Sequence, residues 1–313
     1  MVEQAAHQYT LERACAALMV SPSGYHAWQQ RKTSPCQRRR DDIRITEQIR
    51  AVHHANHGCY GSPRIHAVLR TEGERVSEQR VARLMRAAGI EGKRTHRRVG
   101  TTVADPQAQA AANLLNREFT ASAPNQKWVV DVTYVPTTTQ GWLYLAVVLD
   151  LFSRKVVGWA TSTSFDQHLV IKALQQALKT RKAPALHHSD RGVQYTSLAY
   201  QQLLAKNKIK SSMSRTGQPY DNAVMESFFA TLKEERLHHE RYASVQQAES
   251  AILGYIEGFY NRIRLHSTLG YLSPDAYEQN HRQRQRALQQ SPDRRRHNKK
   301  NCPDKEKAKA AFA

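Results

Sequence analysis

The chain has 313 residues, a formal net charge of +20 and a pI near 10.0. That length suggests two or three domains, and a charge of that size points to a polyanionic partner such as nucleic acid. It does not favour a secreted disulfide scaffold: Cys15, Cys36, Cys59 and Cys302 are scattered and form no C-x-x-C pair. The basic charge is uneven. Residues 31–100 hold 17 Lys/Arg against 7 acids and residues 281–313 hold 11 against 3, whereas residues 101–280 hold 18 against 15. His53, His54 and His57 beside Cys59 invite a metal-site reading, but no second cysteine sits at ligand spacing, and a wet helix face suits them better. No basic segment leads into an apolar run at the N-terminus, so no secretory leader is expected. The longest apolar run, 143–152, is too short for a bilayer and carries Asp150. A reducing cytoplasm fits this composition, with no membrane partner.

Residues 1–30 read as a short helical segment, TLERACAALMV followed by SPSGYHAWQQ, with Ser21 or Ser23 as a cap and Pro22 in the first turn. RKTSPCQRRR, residues 31–40, reads as a basic linker opening a helical DNA-binding unit over 31–98. There Ile43, Ile45, Ile49 and Val52 recur at helical spacing, then Ile65, Val68 and Leu69, then Val81, Leu84 and Met85 behind a Ser77 cap. Arg80, Arg83 and Arg86, three apart, fall near the solvent side of that last helix, and Arg64 opens the one before it. Such a basic face can meet a phosphate backbone, or it is simply a solvated surface. Residues 99–123 lack hydrophobic periodicity and read as a linker, with a short helix around ANLLNREF.

From residue 124 to 280 the texture is that of one α/β domain. WVVDVTYVP, GWLYLAVVLDLFSR and KVVGWATST are strand-like at hairpin spacing. A helix at FDQHLVIKALQQALKTRK, a strand at ALHHSD, a helix at SLAYQQLLAKNK and a strand at IKSSMS follow. A helix at NAVMESFFATLKEERL is capped by Asp221 or Asn222, and SVQQAESAILGYIEGFYNRIRLH reads as one long final helix. The pattern predicts a mixed five-stranded sheet flanked by helices. Residues 281–313 are polar and basic and read as a disordered tail.

Three acids stand out on this map. Asp131 lies mid-strand in an apolar run, Asp190 at the end of the fourth strand, and Glu226 in the first turn of a helix. A carboxylate buried in a strand costs several kcal/mol unless something offsets it, and a shared divalent metal would do so. Lys233 lies seven residues beyond Glu226 on the same helix face. His187 and His188 either order water or phosphate near Asp190 or are plain strand residues. Ser189 and Tyr195 adjoin Asp190, but nothing in their setting marks an activated nucleophile.

WVVDVTYVP, HSDRGVQYTS, SRTGQPYDNAVMESFFATLKEE and FYNRIRLHSTLGYLSP resemble the catalytic core of insertion-sequence transposases of the DDE, or retroviral-integrase, superfamily. YGSPRIHAVLR through RLMRAAGI resembles the helix-turn-helix module that precedes that core. The resemblance implies an RNase H-like fold, with Asp131, Asp190 and Glu226 as catalytic metal ligands and Lys233 at a position often held by Lys or Arg. It implies a DNA transposase that cuts and joins its element's ends by direct phosphodiester transesterification, assembled as a homo-oligomer on double-stranded terminal-repeat and target DNA in the bacterial nucleoid. Three hard oxygen donors call for Mg²⁺, with Mn²⁺ able to substitute, and two ions would clamp a scissile phosphate. The resemblance is to a downstream-frame protein, which in that family often acts fused to an upstream frame. A DNA-binding regulator made without that frame is the alternative, and an RNase H-type hydrolase a third.

Overall fold

The structure, a computed structural model, describes residues 9–34, 36–93, 111–215 and 218–290. Two units divide the chain, Met1–Lys93 and Arg94–Ala313.

The first unit is helical. α1 (Leu11–Ala17) buries Ala14 and Cys15. α2 (Pro22–Thr33) begins with Pro22 in its first turn and is capped by Ser21, whose hydroxyl accepts the Gly24 N–H at 3.0 Å. This helix runs past residue 30, and Gln37–Arg40 already belong to the next one. The expected linker at 31–40 is thus helical at both ends, because Arg and Lys are good helix formers.

α3 (Gln37–Ala55), α4 (Ser62–Thr71) and α5 (Glu78–Ala87) share a core. Ile45, Ile49, Val52, Ile65, Leu69, Val81, Leu84 and Met85 are buried in it. Ile43 departs from the expectation: it is 50% exposed, since the Ile45/Ile49/Val52 stripe already fills the face that α4 and α5 cover. Ser77 caps α5 by accepting the Arg80 N–H.

The second unit is built on one sheet of order β3-β2-β1-β4-β5. β1 (Lys127–Thr137), β2 (Gly141–Asp150) and β3 (Val156–Ser162) are antiparallel neighbours. β4 (Leu186–Ser189) and β5 (Lys210–Met213) run parallel to β1. This is the RNase H-like mixed sheet. β4 pairs with β1 only through Lys127–Val129, so among the described residues the rest of that β1 edge makes one backbone bridge, Thr137 to Tyr242.

Alternation sets the two faces. Trp128, Val130, Ala146 and Val148 pack under α6 (Gln167–Thr180) and α8 (Leu198–Lys206), with the short α7 (Val193–Thr196) between those helices. Val129, Val135, Leu145 and Val147 are fully or almost fully buried on the opposite face, toward α9 (Ala223–Glu235) and α10 (Val245–Leu253). Gly158 on β3 lets α6 approach closely: a Cβ there would lie 2.4 Å from the Ala173 carbonyl oxygen. Gly158→Ala should therefore destabilise the domain by about 1–3 kcal/mol, the cost of overpacking against rigid backbone, read as a lower melting temperature.

Other expectations need correction. ANLLNREF forms a turn, not a helix, with Asn116 and Arg117 at positive φ. The Leu114 and Leu115 N–H groups both donate to the Ser212 hydroxyl, so the described part of the 99–123 stretch is strapped to β5. The long final helix is broken: α10 passes into a π-helical stretch, Gly254–Tyr260, and a separate α11 follows over Pro274–Gln290. Residues 281–290, expected to be disordered, therefore extend a helix whose Glu278 is fixed by Arg181 and Ser153. Residues 291–313 lie outside the described residues, as does most of the basic run at 93–98. No described helix is long and apolar enough to cross a membrane.

Candidate active site

Asp131 sits at the middle of β1, half-buried, where its neighbours on the same face are core residues. One carboxylate oxygen accepts the Val132 N–H at 2.8 Å. Asp190 follows the last residue of β4 and is also half-buried, and its Oδ1 accepts the Gly192 N–H at 2.9 Å. Glu226 is exposed in the first turn of α9. Burial, then the charge of Asp190, then that of Glu226 push the Asp131 carboxyl up to about 8, against the opposing pull of the Val132 N–H and the Lys233 ammonium. Asp190, Glu226 and Lys233 thus all act on Asp131. Burial raises Asp190 and Glu226 as well.

The described residues include no group of three His, Cys, Asp or Glu side chains in metal-binding geometry. The donor set nevertheless fits a divalent cation. It is all carboxylate, and Asp131 and Asp190 each have one oxygen fixed by a backbone amide and the other without a hydrogen bond among the described residues. Lys233 lies with its Nζ 5.1 Å from the Tyr134 ring centroid, so its ammonium is near the same strand.

A buried network holds the element that carries Glu226. Asp221, expected as a helix cap, makes no cap: it is fully buried and accepts from Arg117 Nε at 2.8 Å, Asn113 Nδ2 at 2.8 Å and the Arg215 backbone N–H at 3.0 Å. Burial alone would raise its carboxyl, but hydrogen bonds from Arg215 and Arg117 hold it well below the usual range. Asn222 also makes no side-chain cap, and its Nδ2 donates to the Val130 carbonyl at 3.3 Å, one residue before Asp131. Together these bonds fix the start of α9 against β1. The sequence carried one signal for this role, Arg215 six residues before the acid, but Arg117 lies about a hundred residues away in sequence, and only the fold brings it near.

His187 and His188 are core residues. His187 is buried against the Tyr200 hydroxyl at 3.0 Å, and burial lowers it to about 3. His188 bonds the Ser212 and Ser214 hydroxyls, and burial lowers it to about 4. Both are neutral at pH 7 and face away from solvent, so neither is a phosphate ligand. Tyr195 is buried, and its hydroxyl has no hydrogen-bond partner among the described residues. Burial, then the charges of Asp190 and Asp131, raise it well above 10, so it remains a phenol and not a nucleophile.

In the helical unit, Arg80 and Arg83 do not simply point to solvent. Arg80 Nε and Arg83 Nη2 each lie 2.8 Å from a different oxygen of Asp42 on α3. Arg86 is exposed and has no ion-pair partner among the described residues. Arg64 lies over the Tyr60 ring at 5.6 Å. His53 and Cys59 are engaged by the carbonyls of Glu91 and His57.

Two domain families match in this order. An HTH-like domain covers residues 39–98, and integrase core domains cover 121–219 and 207–274. A DNA-binding helical unit joined to an integrase core defines a recombinase of the polynucleotidyl transferase class. The chain is 41% identical over 271 residues to the insertion element IS600 31 kDa protein of Shigella sonnei, covering 86% of this chain and 98% of that one. It is 38% identical over 279 residues to the transposase InsF of insertion sequence IS3A of Escherichia coli, covering 88% and 96%. The HTLV-2 integrase catalytic core domain in complex with magnesium shares 18% identity at a TM-score of 0.40, over 50% of this chain and 99% of that one. The chain belongs to the IS3 family of insertion-sequence transposases.

Proposed function

We propose that this transposase cuts and joins the ends of its own element at Asp131, Asp190 and Glu226. The observation that carries this reading is that Asp190 at the end of one strand, Glu226 on a helix and Lys233 all bear electrostatically on Asp131 at the middle of β1. Mg²⁺, two ions in all and replaceable by Mn²⁺, would be held by the three carboxylates and would supply positive charge at the scissile phosphate. The chain's own part is positioning. Backbone amides hold one oxygen each of Asp131 and Asp190, the Asp221 network fixes the helix that carries Glu226, and Lys233 draws the phosphate in. No protein nucleophile is required, because a DNA 3′-hydroxyl or water attacks directly. The full chain, incubated with terminal-repeat DNA and a target plasmid, should give joined products with Mg²⁺ and none after chelation; joining in chelator would contradict the reading.

Duplex DNA is engaged through Arg64, Arg80, Arg83, Arg86 and Lys233, with two copies of the chain pairing the two element ends. An upstream-frame protein is a further partner, and the bacterial nucleoid the site of action. The arginines should separate in function. Arg86→Ala should lower the slope of log K against log salt by about 0.9, the loss of one phosphate contact. Arg80→Ala should also weaken the helical unit, because Asp42 keeps that side chain in the fold. Equal slopes for Arg86→Ala and its parent would remove Arg86 from the interface.

Asp221→Ala should leave secondary structure in place, since Arg117 and Arg215 are about half exposed and rehydrate. Strand transfer should fall on the order of 10²-fold, the usual cost of a small misplacement at a reacting centre, here of Glu226. Wild-type rates in that variant would show that the network does not position the helix.

A further inference from the structure

A phenol that the chemistry above does not use is built against Asp190. Tyr195 lies on α7, which follows that aspartate after a short turn, and it is 3% exposed. The turn is tight. The Gly192 N–H donates to Asp190 Oδ1 at 2.9 Å, and the Gly192 carbonyl accepts the Tyr195 N–H at 2.9 Å. A Cβ on Gly192 would lie 3.0 Å from Asp190 Oδ1 and 3.6 Å from Cδ2 of the Tyr195 ring, so carboxylate and ring border the same point in space.

The ring is held and its hydroxyl is not. Tyr200 meets the ring edge-on with centroids 5.5 Å apart, and the Tyr200 hydroxyl is itself bonded to His187 at 3.0 Å. Gln201 Nε2 donates to the Tyr195 carbonyl at 2.6 Å. The Tyr195 hydroxyl, by contrast, is buried with no hydrogen-bond partner among the described residues. A buried hydroxyl without a partner lowers stability, and a phenylalanine would fill the same space without that cost. The surroundings say what the hydroxyl is for. It lies in the field of two carboxylates, since after burial the charges of Asp190 and then of Asp131 act on it and keep it a protonated donor. Asp190 receives one hydrogen bond, from Gly192, and no side chain bonds its carboxylate among the described residues. Carboxylates that ligate a cation are themselves oriented by hydrogen bonds from the protein, and those partners tune affinity.

We propose that Tyr195 is a positioning residue for divalent-cation binding: with a cation present, its hydroxyl donates to the Asp190 carboxylate from the core side, beside the Gly192 N–H. A small rotation of the Asp190 side chain brings the two together. The phenol touches neither the cation nor DNA; it fixes which way one ligand faces. The hydroxyl is therefore a liability in the metal-free fold and an asset in the loaded one. The inference rests on the metal-site reading above and adds to it the group that orients one of the ligands.

The test compares the full chain with Tyr195→Phe, which removes one oxygen and keeps the ring. In EDTA the variant should melt at or above the parent's temperature, because an unpaired polar atom is gone. Mn²⁺ is then titrated into each protein, with the free ion followed by electron paramagnetic resonance. Its dissociation constant should rise about tenfold or more in the variant, within the ~10–100-fold usual for losing a group that orients a metal ligand. Strand joining should divide in the same way: half-saturating Mg²⁺ rises, while the rate at saturating Mg²⁺ changes little. A tyrosine needed only for packing would leave both metal constants where they were. A variant that melts well below the parent, or that binds Mn²⁺ as tightly, overturns the proposal. Asp190→Asn tests the reading beneath it. If that variant binds Mn²⁺ as the parent does, the carboxylate site fails and the role of Tyr195 with it. If it binds more weakly while Tyr195→Phe matches the parent, only the role of Tyr195 fails.

Discussion

Asp190→Asn protein binds element ends as tightly as its parent and joins them slower by a factor on the order of 10³ or more. The substitution is nearly isosteric, and the amide oxygen can still accept the Gly192 N–H that shapes the turn after β4. What changes is charge: a hard anionic donor becomes a neutral amide, and the cluster loses a third of its pull on a cation. The same substitution relieves the site. Burial and the Asp190 charge push Asp131 up to about 8, so removing the Asp190 charge makes it easier to ionise Asp131 in the folded protein. The variant should therefore melt at or above the parent's temperature in metal-free buffer, which separates a chemical defect from an unfolded one. Mobility shifts, joining assays and thermal melts on one preparation decide it. Joining within about tenfold of the parent, roughly 1.4 kcal/mol of barrier, would remove Asp190 from the metal site.

Acid should erode the integrase core through His187. Its ring is buried against Tyr200, and burial lowers it from 6.5 to about 3. The unfolded chain takes up a proton below pH 6.5 and the folded one does not until about pH 3. The histidine's neutral form therefore supports the fold fully above pH 6.5, and that support is lost as pH falls through this window, by up to about 1.4 kcal/mol per pH unit. Asp131 acts in the opposite sense over part of the same range, because its raised carboxyl takes up a proton earlier in the folded state. A single stability curve mixes the two. Subtracting the curve of a His187→Phe, Tyr200→Phe double variant isolates the histidine: the difference between parent and variant should be flat above pH 6.5 and tilt against the parent below it. A difference that stays flat down to pH 4 would mean that His187 is hydrated in the folded protein.

Much of this protein was legible as local pattern. The five strands, the helix that carries Glu226 and the buried stripes of α3 to α5 follow from periods of two and of 3.6, which local sequence records directly. The three acids were visible because each violates its local pattern or ends an element. The failures are instructive in the same terms. ANLLNREF has helical composition, but Ser212 captures its N–H groups from another strand and a turn results. The single long helix expected from residue 244 is interrupted by Gly254 and Gly258 in a π-helical stretch. Arg80 and Arg83 have the spacing of a basic surface, yet an aspartate 38 and 41 residues away ties them down.

Sequence by itself determined which residues could do chemistry: an apolar strand with one carboxylate, a strand end with another, a helix start with a third, and basic charge kept outside them. Tertiary structure decided which of those residues act on each other. It made the two histidines beside Asp190 into core residues, turned Asp221 from a cap into the anchor of the Glu226 helix, and buried the Tyr195 hydroxyl without a hydrogen-bond partner among the described residues. The reason is range. Periodicity and capping act over a few residues and leave a trace in the chain, whereas burial and charge coupling depend on segments about a hundred residues apart, whose approach no local pattern encodes.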